Sequence, residues 1–312
     1  MTHIMILARD ALVYRPLVAA AGLSDVVLHA CETVAEAMEI VGGCEVILGQ
    51  PDMVARVLPE ARKLVWVQST FAGVDALCAP GLRRDYLLTG VKGIFGPLMS
   101  EYVFGYILAR ERKVFDVRAH QLQKAWRPLS YRSLRGMTLG VCGLGSIGAH
   151  VAETGHHFGM KVVGYRRSPK SFSGVDHLYS GDAFHGFLAR CDYVVSVLPA
   201  TPATRHLFDR NAFSAMKPSS VFMNVGRGST VCEADLFNAL AERQIAGAVL
   251  DVFEEEPLSP ESPLWTSDQV VVTPHIAACS FPEEVAGIFI RNVEAWQKGS
   301  ALSYPVDFEQ GY

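Results

Sequence analysis

The sequence predicts an α/β protein with two doubly wound parallel sheets, each carrying helices on both faces. Strand-like and helix-like runs alternate along almost the whole chain, which is typical of parallel sheets with helical crossovers. A long helical segment from Leu98 separates two sets of these runs. The length of 312 residues also suits about two domains.

The first hundred residues hold the first set of runs. Strands are predicted at His3–Leu7, Val26–His29, Glu45–Leu48 and Leu64–Gln68, and helices near Tyr14–Ala21, Thr33–Val41 and Met53–Leu58. The stretch from Ser69 to Asp75 follows the fourth strand and contains a glycine and small residues. It either offers backbone N–H groups to a ligand or forms a plain turn into a helix.

One long helix is predicted between the two sets of runs. Apolar residues at helical spacing extend it from Leu98 to Val117, and it would cross from the first domain to the second. The following segment, Gln123 to Arg135, has little periodicity and is predicted to be a loop.

A glycine-rich loop opens the second set of runs. A strand at Thr138–Cys142 leads into Gly143-Leu144-Gly145-Ser146-Ile147-Gly148, followed by a helix that stops at Gly159 and a strand at Lys161–Tyr165. The G-x-G-x-x-G spacing permits a tight turn, close approach to a diphosphate and close packing of helix on strand. Because the strand–loop–helix–strand context is complete, the sequence predicts a dinucleotide site.

The end of the next strand indicates which dinucleotide is bound. An NAD-selective site has an acidic residue about 20 positions beyond the glycines. This chain instead has Tyr165-Arg166-Arg167-Ser168, whose guanidinium groups suit the 2′-phosphate of NADP(H). The alternative is a solvated basic turn.

The remaining strands end in polar residues. Strands are predicted at Tyr193–Leu198, Val221–Val225, Ala248–Asp251 and Val270–Thr273, helices at Arg210–Met216 and Glu233–Arg243, and a last helix at Pro282–Lys298. Arg227, the acidic run ending at Glu256, and His275 each follow one of these strands. Alone, each is better explained as a salt bridge, a solvated loop or a structural histidine. Together at one sheet edge they suggest a carboxylate-binding arginine and a carboxylate-oriented acid–base histidine.

Composition excludes several other classes of function. A net charge of −4 argues against nucleic acid or an anionic membrane as a partner, and no apolar run reaches the roughly 18 residues of a membrane span. The seven cysteines are scattered, and neither a secretory signal nor a metal-ligand spacing is visible. We therefore expect a cytoplasmic protein without a metal.

These motifs resemble one known family over nearly the whole chain. The glycine loop, Asn224-Val225-Gly226-Arg227-Gly228, Leu250-Asp251-Val252-Phe253 with Glu256-Pro257-Leu258, and Thr273-Pro274-His275 are similar to those of NAD(P)-dependent, D-isomer-specific 2-hydroxyacid dehydrogenases. Glu261-Ser262-Pro263-Leu264-Trp265 and the arginine pair resemble the short glyoxylate/hydroxypyruvate reductase A type.

The resemblance implies a role for each matching residue. Arg227 and His275 would bind substrate, His275 as the general acid and Glu256 as its hydrogen-bonding partner, with Phe71, Ala72 and Gly73 at the substrate's carboxylate. The residues implied in cofactor binding are Gly143, Leu144, Gly145, Ser146, Ile147, Gly148, Arg166, Arg167, Ser168, Leu198, Pro199, Val225, Gly226, Asp251 and Ala277.

It also implies a domain plan. Residues 98–283 would form a Rossmann NAD(P)-binding domain inserted into a flavodoxin-like substrate domain of residues 1–97 and 284–312. A homodimer would form through the nucleotide domain.

The expected function is NADPH-preferring reduction of small 2-oxo acids, glyoxylate or hydroxypyruvate, to D-2-hydroxy acids, with NAD(H) as a possible second cofactor. Departures from the reductase A pattern at Gly49-Gln50-Pro51 and Phe281, with Phe71 and Phe95 near the expected pocket, leave a bulkier 2-keto acid open. A dinucleotide-sensing interaction protein is the alternative outside enzymes.

Overall fold

The computed structural model describes residues 1–167 and 171–311, and these divide into two compact units. Unit 1 comprises Met1–Ile94 and the chain from Ser280 onward, and unit 2 comprises Phe95–Cys279. Unit 2 is therefore an insertion in the sequence of unit 1.

Strands and helices alternate as a parallel α/β fold requires. The strands are β1 (Thr2–Leu7), β2 (Val26–Cys31), β3 (Val46–Gly49), β4 (Trp66–Ser69), β5 (Leu87–Thr89), β6 (Thr138–Cys142), β7 (Lys161–Tyr165), β8 (His177–Tyr179), β9 (Tyr193–Ser196), β10 (Val221–Asn224), β11 (Gly247–Leu250) and β12 (Val270–Val272). The α-helices are α1 (Ala11–Ala19), α2 (Val34–Ile40), α3 (Pro51–Val57), α4 (Phe95–Glu111), α5 (Val114–Leu122), α6 (Ser146–His157), α7 (Phe184–Leu188), α8 (Arg210–Ser214), α9 (Glu233–Ala241) and α10 (Pro282–Gln297).

Unit 1 is built on a parallel sheet with strand order β2-β1-β3-β4-β5 in the described residues. This is one of the common doubly wound orders. The inner strands are apolar and buried, because helices cover both faces of the sheet. The C-terminal helix α10 completes the unit: it packs against α1, and its Phe289 stacks on Trp66 of β4 at 5.3 Å between ring centroids.

Unit 2 is built on a larger parallel sheet with order β12-β11-β10-β9-β6-β7-β8 in the described residues. Separate apolar cores cover its two faces, one around Phe187 and Phe222 and the other around Val103 and Val151. The direction of strand addition reverses between β6 and β9, so the carboxyl ends of these strands form the crevice where open α/β sheets bind ligands. The predicted fold class of two doubly wound parallel sheets is confirmed.

The prediction of one helix from Leu98 to Val117 is wrong. α4 ends at Glu111, and Lys113 takes a left-handed conformation with φ +58° before α5 begins. Glu111 is 3% exposed, and its carboxylate accepts hydrogen bonds from Arg132 and from Tyr193. These contacts hold the end of α4 in the core, while no residue of α5 is buried.

Three short elements were also missed: β5, β8 and α7. Each has only three to five residues, too few for a hydrophobic period to show in the sequence. None of the helices in the described residues combines the length and apolar character needed to span a bilayer.

Candidate active site

The loop between β6 and α6 has the backbone that a diphosphate requires. Gly143 adopts φ +94°, and a Cβ at Gly148 would collide with the carbonyl oxygen of Gly143. Gly145 has open space where a Cβ would stand, and no side chain of the described residues caps the N-terminus of α6. The first N–H groups of this helix can therefore point to an anion, so the residues present fit a dinucleotide diphosphate.

The end of β7 bears two guanidinium groups. Arg166 is held in place by its backbone N–H, which donates to the carbonyl of Tyr179, and the following Arg167 is exposed. No carboxylate occurs in residues 161–167, and the predicted Ser168 lies outside the described residues. This strand end therefore suits a ribose 2′-phosphate better than a free ribose hydroxyl pair.

The other residues predicted to bind cofactor lie at the carboxyl ends of neighbouring strands. Leu198 and Pro199 follow β9, and Val225 and Gly226 follow β10. The first two loops touch, since a Cβ on Gly226 would lie 2.6 Å from the carbonyl oxygen of Leu198. Ala277 follows β12, with its backbone N–H 2.9 Å from a carboxylate oxygen of Asp251 after β11.

Arg227 is fixed by hydrogen bonds around its own backbone. The carbonyl of Arg227 accepts from Asn224 Nδ2 at 3.0 Å and from Thr230 Oγ1 at 2.7 Å. Its Nη1 donates to the carbonyl of Gly226 at 2.8 Å. The guanidinium is thereby aimed from the end of β10 and is suited to grip a carboxylate.

His275 and Glu256, which are 19 positions apart in sequence, meet at this edge. His275 Nδ1 donates to Glu256 Oε2 at 2.7 Å, while Oε1 of the same carboxylate accepts from the backbone N–H of Phe253 at 3.0 Å. Because a carboxylate only accepts, Nδ1 carries a proton and Nε2 remains for chemistry. The His275 side chain is 55% exposed, so an outside molecule can reach it.

The electrostatics of this pair favour the charged form of both members. The hydrogen bond to Glu256 raises the pKa of His275 above its ordinary value, against the opposing effects of burial and of Arg227. Burial alone would raise the pKa of Glu256, but the hydrogen bonds from His275 and Phe253 lower it overall. His275 therefore keeps its proton to a higher pH than an ordinary imidazole does.

Asp251, predicted as a cofactor residue, is 1% exposed and binds the turn that carries His275. Its carboxylate accepts from the backbone N–H groups of Ile276 and Ala277, each at 2.9 Å, and from Thr273 Oγ1 at 2.6 Å. His275 itself has φ +54°, a left-handed conformation that costs about 1–3 kcal/mol in a residue other than glycine. These hydrogen bonds offset that cost.

The predicted substrate residues Phe71, Ala72 and Gly73 lie in unit 1 at the carboxyl end of β4. Ser69 Oγ accepts from the N–H of Phe71 at 3.0 Å and donates to its carbonyl at 2.8 Å, which closes a tight turn. The side chains of Phe71 and Phe281 are exposed, whereas Phe95 is buried at the start of α4.

Sequence reasoning missed one residue of the unit 2 site. Tyr102, on the second turn of α4, places its hydroxyl 2.6 Å from Thr273 Oγ1. Its position in a helix far from Thr273 in sequence gave no local signal. In the described residues, no group of three or more His, Cys, Asp or Glu side chains could hold a metal ion.

Comparison with known proteins identifies the family. Residues 104–277 match the model of the D-isomer specific 2-hydroxyacid dehydrogenase, NAD binding domain. The chain belongs to the D-isomer specific 2-hydroxyacid dehydrogenases. These are NAD(P)-dependent oxidoreductases, so the prediction of an enzyme is confirmed.

Individual family members are similar over most or all of the chain. Glyoxylate/hydroxypyruvate reductase A of Salmonella paratyphi B is 33% identical over 258 residues, which cover 80% of this chain and 83% of the relative. A D-isomer specific 2-hydroxyacid dehydrogenase family protein from Aeromonas salmonicida is 44% identical, with a TM-score of 0.95 over 98% of this chain and 99% of that one. An NADPH-dependent glyoxylate/hydroxypyruvate reductase from Sinorhizobium meliloti, solved with NADP and sulfate, is 29% identical, with a TM-score of 0.89 over the full length of both chains.

Proposed function

We propose that this dehydrogenase is an NADPH-preferring reductase of small 2-oxo acids, of the glyoxylate and hydroxypyruvate type, that yields D-2-hydroxy acids. The observation that carries the proposal is the His275–Glu256 pair, which lies with Arg227 at the strand ends beside the glycine loop. The reductases from Salmonella and Sinorhizobium named above support the same substrate class.

NADPH preference rests on the end of β7. Arg166 and Arg167 occupy the positions where an acidic residue would select NAD, and a guanidinium pairs with phosphate in charge-assisted hydrogen bonds. Related structures were solved with NADP or NADPH, including that from Sinorhizobium meliloti. We keep Ser168 as a predicted contact, and NAD(H) remains a weaker second cofactor.

When bound, the reduced nicotinamide supplies the hydride that reduces the 2-carbon of the acid. Arg227 grips the acid's carboxylate, and Phe71–Gly73 of unit 1 remain predicted contacts for the same group. His275 delivers the proton from Nε2 to the oxygen of the 2-carbonyl, and Glu256 stabilises the imidazolium before that transfer. In this proposal, unit 2 is the nucleotide domain and unit 1 the substrate domain.

We also propose that two copies pair through unit 2. None of the residues of α5 is buried, and Val114, Phe115 and Leu122 expose about half or more of their surface. A helix of nine residues is not stable alone in water, so α5 needs a covering surface. The segment from Arg110 to Arg135 has eight Lys and Arg residues and only two acidic residues, so its net charge is positive. The whole chain has a net charge of −4, so the remaining residues are negatively charged overall. The rest of a second copy therefore complements this segment in charge.

We also propose that the protein works in the cytoplasm. Its seven cysteines are free thiols, which suits a reducing compartment.

Replacing His275 with Asn tests the proposed role directly. Asn tolerates a left-handed backbone, so this variant keeps the turn and loses only the proton-donating imidazole. We expect turnover of glyoxylate or hydroxypyruvate with NADPH to fall by about 10²–10⁴-fold, with the affinity for NADPH unchanged. His157→Asn, on the exposed end of α6, is the matched control. Turnover within a fewfold of the parent enzyme would refute the general-acid role.

A further inference from the structure

A buried polar chain leads from helix α4 to the turn that carries His275. Thr273 is 7% exposed and Asp251 is 1% exposed, and both lie immediately beneath that turn. Asp251 is tied to it by four contacts: its carbonyl accepts the N–H of His275 at 2.9 Å, and its carboxylate accepts the three bonds described above. The position of the imidazole therefore depends on where Asp251 stands.

The direction of each hydrogen bond in this chain is determined by its chemistry. The carboxylate of Asp251 can only accept, so the single proton of the Thr273 hydroxyl is donated to it at 2.6 Å. Thr273 Oγ1 must then accept from the hydroxyl of Tyr102, also at 2.6 Å. Burial raises the pKa of Tyr102 well above its ordinary value, so this hydroxyl keeps its proton.

We propose that Tyr102 and Thr273 are positioning residues for His275, acting through Asp251. The proposal rests on the general-acid role of His275 under Proposed function. Tyr102 orients the Thr273 hydroxyl, Thr273 orients the Asp251 carboxylate, and Asp251 holds the left-handed turn against relaxation. The chain thus connects the second turn of α4 to the proton donor.

These hydrogen bonds affect the protonation of His275 because its imidazole faces charges from three loops. Glu256 and Asp251 raise its pKa, whereas Arg227 lowers it. A turn that relaxes moves the imidazole away from Glu256, whose hydrogen bond has the largest of these effects. Loss of these hydrogen bonds should therefore weaken the proton donor without changing the glycine loop between β6 and α6.

Kinetics of matched variants test this dependence. Thr273→Val removes the hydroxyl and should lower kcat by about tenfold or more, since a hydrogen bond to a buried charge is lost, while KM and NADPH affinity stay unchanged. Tyr102→Phe should lower kcat by about fivefold, and Thr273→Ser should restore most of the activity. Tyr106→Phe, one turn along α4 from Tyr102, is the control.

A double mutant shows whether the two residues act in series. Because Tyr102 acts through the Thr273 hydroxyl, adding Tyr102→Phe to Thr273→Val should cause no further loss of kcat. Independent, multiplying losses would contradict the proposal. So would a fall in NADPH affinity or melting temperature that accounts for the loss of activity, since that is the behaviour of a structural contact.

Titration of His275 by NMR gives a readout that does not need turnover. The midpoint should move to lower pH in Thr273→Val and Tyr102→Phe, and stay in place in Thr273→Ser and Tyr106→Phe. If the parent enzyme reduces no 2-oxo acid and these midpoints still move, the reductase proposal fails and the positioning role stands. Unchanged midpoints and unchanged kcat in both variants would overturn the positioning role.

Discussion

At the scale of single residues, the carboxylate of Glu256 has the largest effect on the protonation of His275, the proposed general acid. Glu256 meets His275 at 2.7 Å, and it opposes the effects of burial and Arg227, which both favour the neutral imidazole. Its own orientation is secured by the backbone N–H of Phe253. The pH range of the reaction should therefore depend on Glu256 more than on any other neighbour of His275.

Glu256→Gln tests this dependence. In the proposed mechanism reduction needs protonated His275, so activity is lost as pH rises through its pKa. Removing the carboxylate lowers that pKa, so the basic limb of the kcat/KM profile should move to lower pH, with activity at pH 8 reduced more than activity at pH 6. The profile is measured by NADPH oxidation at saturating cofactor.

Glu255→Gln removes the same charge from the neighbouring exposed position and serves as the control. Its profile should match that of the parent enzyme. If the basic limb of Glu256→Gln does not move, Glu256 does not set the pKa of His275.

The residues proposed for catalysis could be chosen from the sequence, but their hydrogen-bond partners could not. Arg227, Glu256 and His275 could be chosen because each follows a buried strand, and parallel strands bring such ends together. Tyr102 could not be found, because only tertiary packing brings α4 to Thr273. The buried contacts of Asp251 were equally hidden, since a lone carboxylate after a strand does not reveal which N–H groups it accepts from.

At the scale of elements, the sequence predicted helix α6 but not the start of helix α5. α6 was predictable because glycines, a preceding strand and a helical apolar pattern all agreed. The break between α4 and α5 was not, because it depends on Glu111 meeting Arg132 and Tyr193. Several apolar side chains of α5 are exposed to solvent in the single chain.

This exposed helix yields a prediction about assembly. Sedimentation velocity should show a species of two chains, and Phe115→Ser combined with Leu122→Ser should shift it to single chains, because the apolar contact is lost. Leu12→Ser, at a residue that is 59% exposed in unit 1, should leave the dimer intact. A parent protein that sediments as a single chain at micromolar concentration would contradict the dimer.

At the scale of the whole molecule, the fold class was readable because the alternation of strands and helices is regular in both units. The strand orders β2-β1-β3-β4-β5 and β12-β11-β10-β9-β6-β7-β8 were not, because pairing between distant strands leaves no local pattern. Both orders have a reversal point, and in unit 2 this point brings the glycine loop to the strand ends that carry Arg227 and His275. The strand order of unit 2 is therefore the reason that the glycine loop lies beside the residues proposed for catalysis.

The most direct test is reduction of a panel of 2-oxo acids by the purified protein. NADPH and NADH oxidation are followed with glyoxylate, hydroxypyruvate, pyruvate and bulkier branched or aromatic 2-oxo acids, and the chirality of the hydroxypyruvate product is determined. We predict the highest kcat/KM for glyoxylate or hydroxypyruvate with NADPH, at least tenfold above the value with NADH, and a D product. Turnover of none of these acids by a protein that binds NADPH would contradict the reductase, and a preference for a bulky acid or for NADH would contradict its proposed specificity.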